Sequence, residues 1–179
     1  MARRTRSIFA ALVALMVSVA CSEPTAPERT ASQPEAGQFL GFGSGSNLLE
    51  CPTGTSQTTS GLISALNGGL LSVAGSSVLI PAGALLADAN VTLTVPASRF
   101  MEVHLQVEGS EHFVFERPVI VTIGYGRCSR SNILRSSLTA WYIDADSKAL
   151  LEHMGGIDNK LFRTVTFTTP HFSAYAVAE

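Results

Sequence analysis

A strict two-residue alternation constrains this chain more than any other feature. Met101, Val103, Leu105 and Val107 are apolar, and Glu102, His104, Gln106 and Glu108 between them are polar. Successive side chains of a strand point to opposite sides, so the pattern specifies a strand with one buried and one wet face. Val91, Leu93 and Val95 alternate with Thr92 and Thr94 in the same way. From Leu161 to Thr169, Val165 and Phe167 take one side and Thr164, Thr166 and Thr168 the other. Pro118 is expected to open a strand carrying Val119, Val121 and Ile123. Leu138 to Ile143 is apolar on both faces, which predicts a central strand. Asp144-Ala145-Asp146-Ser147 reads as a hairpin turn, Gly155-Gly156 and Asp158-Asn159 as the next, and Ser173–Ala178 as the last strand. Ser129–Ser136 is the one helical candidate, with Ile133 and Leu134 plugging an end of the fold. The expected fold class is all-β, a single antiparallel β-sandwich of about 9–11 short strands with at most one short helix.

Ahead of this body lies a different kind of sequence. Arg3, Arg4 and Arg6 precede an apolar run from Ile8 to Ala20, and small residues lead into Cys21. A basic start, a short apolar run and a small-residue site are the parts of a secretory signal. The run falls short of the ~20 residues a membrane-spanning helix needs. With Cys at the cleavage point, residues 1–20 read as a lipoprotein signal peptide and Cys21 as the lipid-attachment residue. Ser18 stands where such signals usually carry Leu. Residues 21–50 read as the lipidated Cys and a flexible tether, punctuated first by Pro24, Pro27 and Pro34 and then by Gly41, Gly43 and Gly45. Residues 51–179 are then the β-sandwich. The expected location is exported and lipid-anchored to the cell envelope, on its periplasmic or cell-surface face.

Charge and cysteine content narrow the partners. From Cys21 onward the chain holds nine basic and fourteen acidic residues, a net charge of −5. A mildly acidic chain with no basic patch argues against nucleic acid and against electrostatic docking on anionic lipid. The expected partners are the membrane through the lipid on Cys21 and an envelope protein or glycan. With Cys21 lipidated, Cys51 and Cys128 remain as an even pair in an exported chain, which predicts a disulfide.

No cofactor and no metal are expected. His104, His112, His153 and His171 are scattered, without ligand spacing. Asp144-Ala145-Asp146 superficially opens a calcium loop, but Lys148 stands at the third ligand position, where a cation repels calcium. Trp141, Tyr142 and Tyr125 are the residues available for a sugar-stacking platform, which keeps a carbohydrate-binding adhesin among the readings.

Two stretches carry a family resemblance. Gly68-Gly69-Leu70 leads to Val78-Leu79-Ile80-Pro81-Ala82-Gly83-Ala84-Leu85, and a Thr-rich strand follows from Asn90 to Val95. Near the end stands His171-Phe172-Ser173-Ala174-Tyr175-Ala176-Val177. Together with Arg117-Pro118-Val119, these resemble the ZU-five domain of ankyrins, netrin receptors and tight-junction scaffolds and its bacterial surface relatives, over residues 57–178. The resemblance implies a β-sandwich used for protein interaction or scaffolding, without catalysis. In some relatives, death-domain and inflammasome-sensor proteins, the chain cuts itself between Phe and Ser. Mapped here, Ser173 would be the nucleophile, Phe172 the acyl donor and His171 an aid to proton transfer. Such chemistry needs a strained peptide bond and a nearby base. The alternative is that the motif starts the final strand, with Phe172 in the core.

Overall fold

The structure, a computed structural model, describes residues 47–110, 113–129, 133 and 137–179. The expected signal peptide (residues 1–20), Cys21, the expected tether as far as residue 46 and His112 lie outside the described residues. Among the described residues eleven strands follow one another: β1 (Gln57–Ile63), β2 (Gly69–Val73), β3 (Ser76–Ile80), β4 (Ala89–Val95), β5 (Glu102–Val107), β6 (Val114–Gly124), β7 (Thr139–Ile143), β8 (Leu150–Gly155), β9 (Ile157–Asn159), β10 (Thr164–His171) and β11 (Ala174–Ala178). They form a six-stranded sheet ordered β1-β4-β5-β11-β7-β8 and a five-stranded sheet ordered β2-β3-β6-β10-β9. The paired strands are antiparallel, and the two sheets pack face to face as a β-sandwich.

The alternating residues supply the core. Val91, Leu93, Val103 and Leu105 from one sheet meet Val78, Val119, Val121, Val165 and Phe167 from the other. Burying each large apolar side chain stabilises the fold by ~1.5–3 kcal/mol. Ile133, the described residue inside the expected short helix, is helical and buried against this core.

The corner after β3 follows from its residues. Pro81 lacks an N–H and ends the strand. Gly83 has φ +73°, a conformation that favours glycine. Gly68 has φ +71°, and a Cβ there would stand 2.2 Å from the Ile80 carbonyl oxygen. The backbone of the β1–β2 turn therefore packs directly against the end of β3.

Several elements differ from expectation. Pro118 lies inside β6, which starts at Val114. β10 stays in register with β6 from Thr164↔Gly124 to Thr169↔Val119, then slips until His171 faces Val114. Pro118 and Pro170 both sit at this slip, and neither can donate to a ladder. Leu161–Arg163 form a turn ahead of β10 rather than its start. β7 is an inner strand, as expected, paired with β11 on one side and β8 on the other. Its outer face is apolar because Leu48, Ile143, Ala174, Ala176 and Ala178 make a second small core on the outer side of the sheet. Leu48 and Leu49, allotted to the tether by sequence, are buried. Leu48 bridges Ala178 and Glu50 bridges Phe100, so the folded body takes in residues before Cys51. Cys51 and Cys128 are joined in a disulfide.

Candidate functional site

His171-Phe172-Ser173 occupies the corner where the chain crosses from one sheet, at β10, to the other, at β11. Phe172 is buried and its ring meets Phe115 edge-on at 4.4 Å. Its N–H donates to the Phe113 carbonyl at 2.9 Å, and the Ser173 carbonyl accepts from Leu105 N–H at 3.0 Å. Tyr175 donates its hydroxyl to the His171 carbonyl at 2.6 Å. The same hydroxyl lies 2.8 Å from Thr169 Oγ1 and 3.1 Å from His171 Nδ1. Burial, ahead of every other cause, pushes the Tyr175 phenol up from its ordinary pKa. Nδ1 of His171 is thus engaged by Tyr175, and the ring packs against Tyr142. Among the described residues, those with left-handed φ outside glycine are Ala74, Lys148 and Arg163, none of them Phe172 or Ser173. The corner is laid out as a tyrosine clasp over a sheet crossing. Ser173 precedes β11 instead of opening it.

A second polar centre escaped the sequence. Glu102 points to the outer face of its sheet, as alternation predicts, yet it is 1% exposed. The turn between β7 and β8 folds over it. Lys148, at φ +61° in that turn, reaches Glu102 Oε2 at 2.6 Å, and His104 Nε2 lies 3.2 Å from the same oxygen. Burial raises the carboxyl's pKa, but hydrogen bonds with His104, Lys148 and Ser98 outweigh it and hold the group at about 2. Lys148 therefore has a positive reason to stand in the turn. Asp144 Oδ1 accepts from Ser147 N–H at 2.7 Å, Ser147 Oγ at 2.8 Å and Asp146 N–H at 3.1 Å, which makes the segment a hairpin turn built on an Asp cap. Those hydrogen bonds, Ser147's first, lower the Asp144 pKa. A lysine inside a turn four residues past an Asp was the signal available for this pair.

The three candidate sugar-stacking aromatics do not share a surface. Tyr125 is buried and donates to Asp158 Oδ1 at 2.5 Å; Trp141 and Tyr142 are adjacent on β7 and face opposite sides, Trp141 over His153 at 4.8 Å. Among the described residues, no three His, Cys, Asp or Glu side chains are grouped to hold a metal ion.

A polar cleft of about 850 Å³ lies on the outer side of β1, β4 and β5, lined by Ser60, Asn90, Thr92, Gln106 and Glu108. Ser60 bonds Thr92 at 2.8 Å and Asn90 donates to Glu108 at 2.7 Å. At one end of the sandwich a cleft of about 430 Å³ is lined by Gly54, Gly75, Met101, Arg127, Phe162 and Arg163. Both arginines are committed to backbone carbonyls there, Arg127 to Ser98 and Phe100, Arg163 to Gly126. Finally, an apolar row crosses the outer face of the second sheet. Leu70 faces Leu79, and Leu79 faces Ile120; their exposures are 60%, 43% and 39%. No protein-family model matches the chain, and no curated protein matches it in sequence.

Proposed function

We propose that the chain is an extracytoplasmic lipoprotein, held to the cell envelope by a lipid on Cys21, whose ZU-five-like sandwich is a non-catalytic interaction module. The apolar row Leu70–Leu79–Ile120 carries the interaction reading. Contiguous exposed apolar residues on a sheet face mark contact surfaces, and these three are held in cross-strand register by the fold itself. The Cys51–Cys128 bond supports export, because such bonds persist in oxidising compartments. The non-catalytic reading is supported by the Phe172–Ser173 link, tied on both sides by Phe172 N–H to the Phe113 carbonyl and Leu105 N–H to the Ser173 carbonyl, with the left-handed non-glycine residues of the described chain lying elsewhere.

The test has two parts. Cys21→Ser should move the protein from the detergent phase to the aqueous phase; equal partitioning of both forms refutes the anchor. Crosslinking in native envelopes should give a discrete adduct with wild type that Leu79→Ser/Ile120→Ser loses while remaining folded. An adduct unchanged by the double substitution refutes the assigned face. A second reading, a carbohydrate-binding surface adhesin, is favoured by the polar cleft, whose hydroxyl, amide and carboxylate groups suit vicinal sugar hydroxyls. Glycan-array binding abolished by Gln106→Ala would replace the protein partner with a glycan.

A further inference from the structure

We propose that the β9–β10 turn, Lys160–Arg163, inserts into the interfacial layer of a lipid bilayer. This rests on the membrane-anchored reading above. Leu161 and Phe162 are 81% and 73% exposed, and they stand at the tip of a turn that is built rather than loose. Asn159 Oδ1 accepts the N–H groups of both Leu161 and Phe162 at 3.1 Å. Arg163 closes the turn at φ +54°, with its Nη1 donating to the Gly126 carbonyl at 2.6 Å. Such bracing holds two large apolar side chains outward where folding gains nothing from them. Ile157, 76% exposed on the same hairpin, widens the apolar rim. Lys160 and Arg163 flank the pair; Lys160 pairs with Asp158 and Arg163 holds the Gly126 carbonyl, and their long stems frame the apolar tip.

Where the described chain begins selects the occupant. Glu179 N–H donates to the Asn47 carbonyl and Met101 N–H to the Leu49 carbonyl. Met101 and Phe162 line the same end cleft. The described chain therefore enters the sandwich at the end that carries the apolar tip. With a lipid on Cys21, this end is the one at which the anchored chain joins the folded body. Because the chain is acidic beyond the signal sequence, insertion of Leu161 and Phe162 supplies the attraction, and a zwitterionic bilayer suffices.

The experiment uses the full lipid-bearing chain on phosphatidylcholine vesicles with brominated acyl chains, which quench tryptophan on contact. Trp141 is the single native tryptophan and gives the baseline; Phe162→Trp adds a reporter at the tip. Flotation reads the anchor and quenching reads the turn. Flotation with the added emission blue-shifted and quenched supports the proposal. Flotation with that emission unquenched overturns it and leaves the anchor standing. Without flotation the anchor reading fails, and the turn is judged at raised vesicle concentration, where quenching supports insertion and its absence overturns it. A blue shift that grows with protein concentration without vesicles assigns the tip to a second copy and overturns the proposal.

Discussion

Glu102→Gln removes a buried charge while keeping its shape, and its effect should depend steeply on pH. The folded carboxyl sits at about 2 against an ordinary 4.5. A tenfold change in acid dissociation is worth ~1.4 kcal/mol, so full shielding would make the charged group worth about 3 kcal/mol to the fold. Its partners Lys148 and His104 are 25% and 29% exposed, and water screens them, which brings the expectation to about 2 kcal/mol. The sign follows from the direction of the shift. A carboxyl with a depressed folded pKa stabilises the native state fully above its unfolded value, and that stability is lost as pH falls from about 4.5 toward 2. Urea unfolding at pH 7, 4, 3 and 2 should therefore show wild type more stable by about 2 kcal/mol at pH 7 and the two proteins converging at the acid end. A difference that stays constant from pH 7 to 2, or that is absent at pH 7, refutes the assignment of Glu102 as a charged, paired group.

Two further outcomes follow from the covalent and backbone features. Replacing Cys51 and Cys128 together by Ser should cost about 4 kcal/mol, because the bond closes a separation of 77 residues in the unfolded chain; urea unfolding of the double variant checks it, and a loss under ~1 kcal/mol contradicts it. Denaturing mass spectrometry of wild type should find one piece, and Ser173→Ala should change stability by ~1 kcal/mol or less; a seven-residue peptide from Ser173 to Glu179, present in wild type and absent in Ser173→Ala, would make Ser173 a nucleophile.

Strand identity was legible where alternation is strict, as in β4, β5 and β10, because side-chain direction along a strand depends on nothing beyond its neighbours. The Pro81–Gly83 corner was legible for a similar reason, since both residues restrict their own backbone. Exposure was not. Alternation put Glu102 on the outer face, but only a later turn, bringing in Lys148 from 46 residues further on, decides that this face is covered. The start of the folded body was misplaced because Leu48 finds its partner at Ala178, near the far end of the chain. Pro118 read as a strand opening because the matching slip at Pro170 belongs to another strand. The clefts are assembled from separate loops, as when Gly54, Gly75, Arg127 and Phe162 meet at one end, and no local pattern records that meeting.

The entry of the chain into the sandwich also sets how the molecule would bear a pull. Tension applied ahead of Asn47 falls first on Leu48–Glu50, held by a few backbone bonds to Ala178, Phe100 and Met101 and by the buried side chains of Leu48 and Leu49. Those bonds can peel one after another. The peel ends at Cys51, which is covalently tied to Cys128. Four residues paid out at ~3.5 Å each give about 14 Å of slack. Against a hold on the strands after Cys128, the load then passes through the sulfur bridge, and the covalent loop that contains β1 through β6 cannot be drawn out. The arrangement works as a strain relief: a short extensible lead with a hard stop, placed before most of the sandwich.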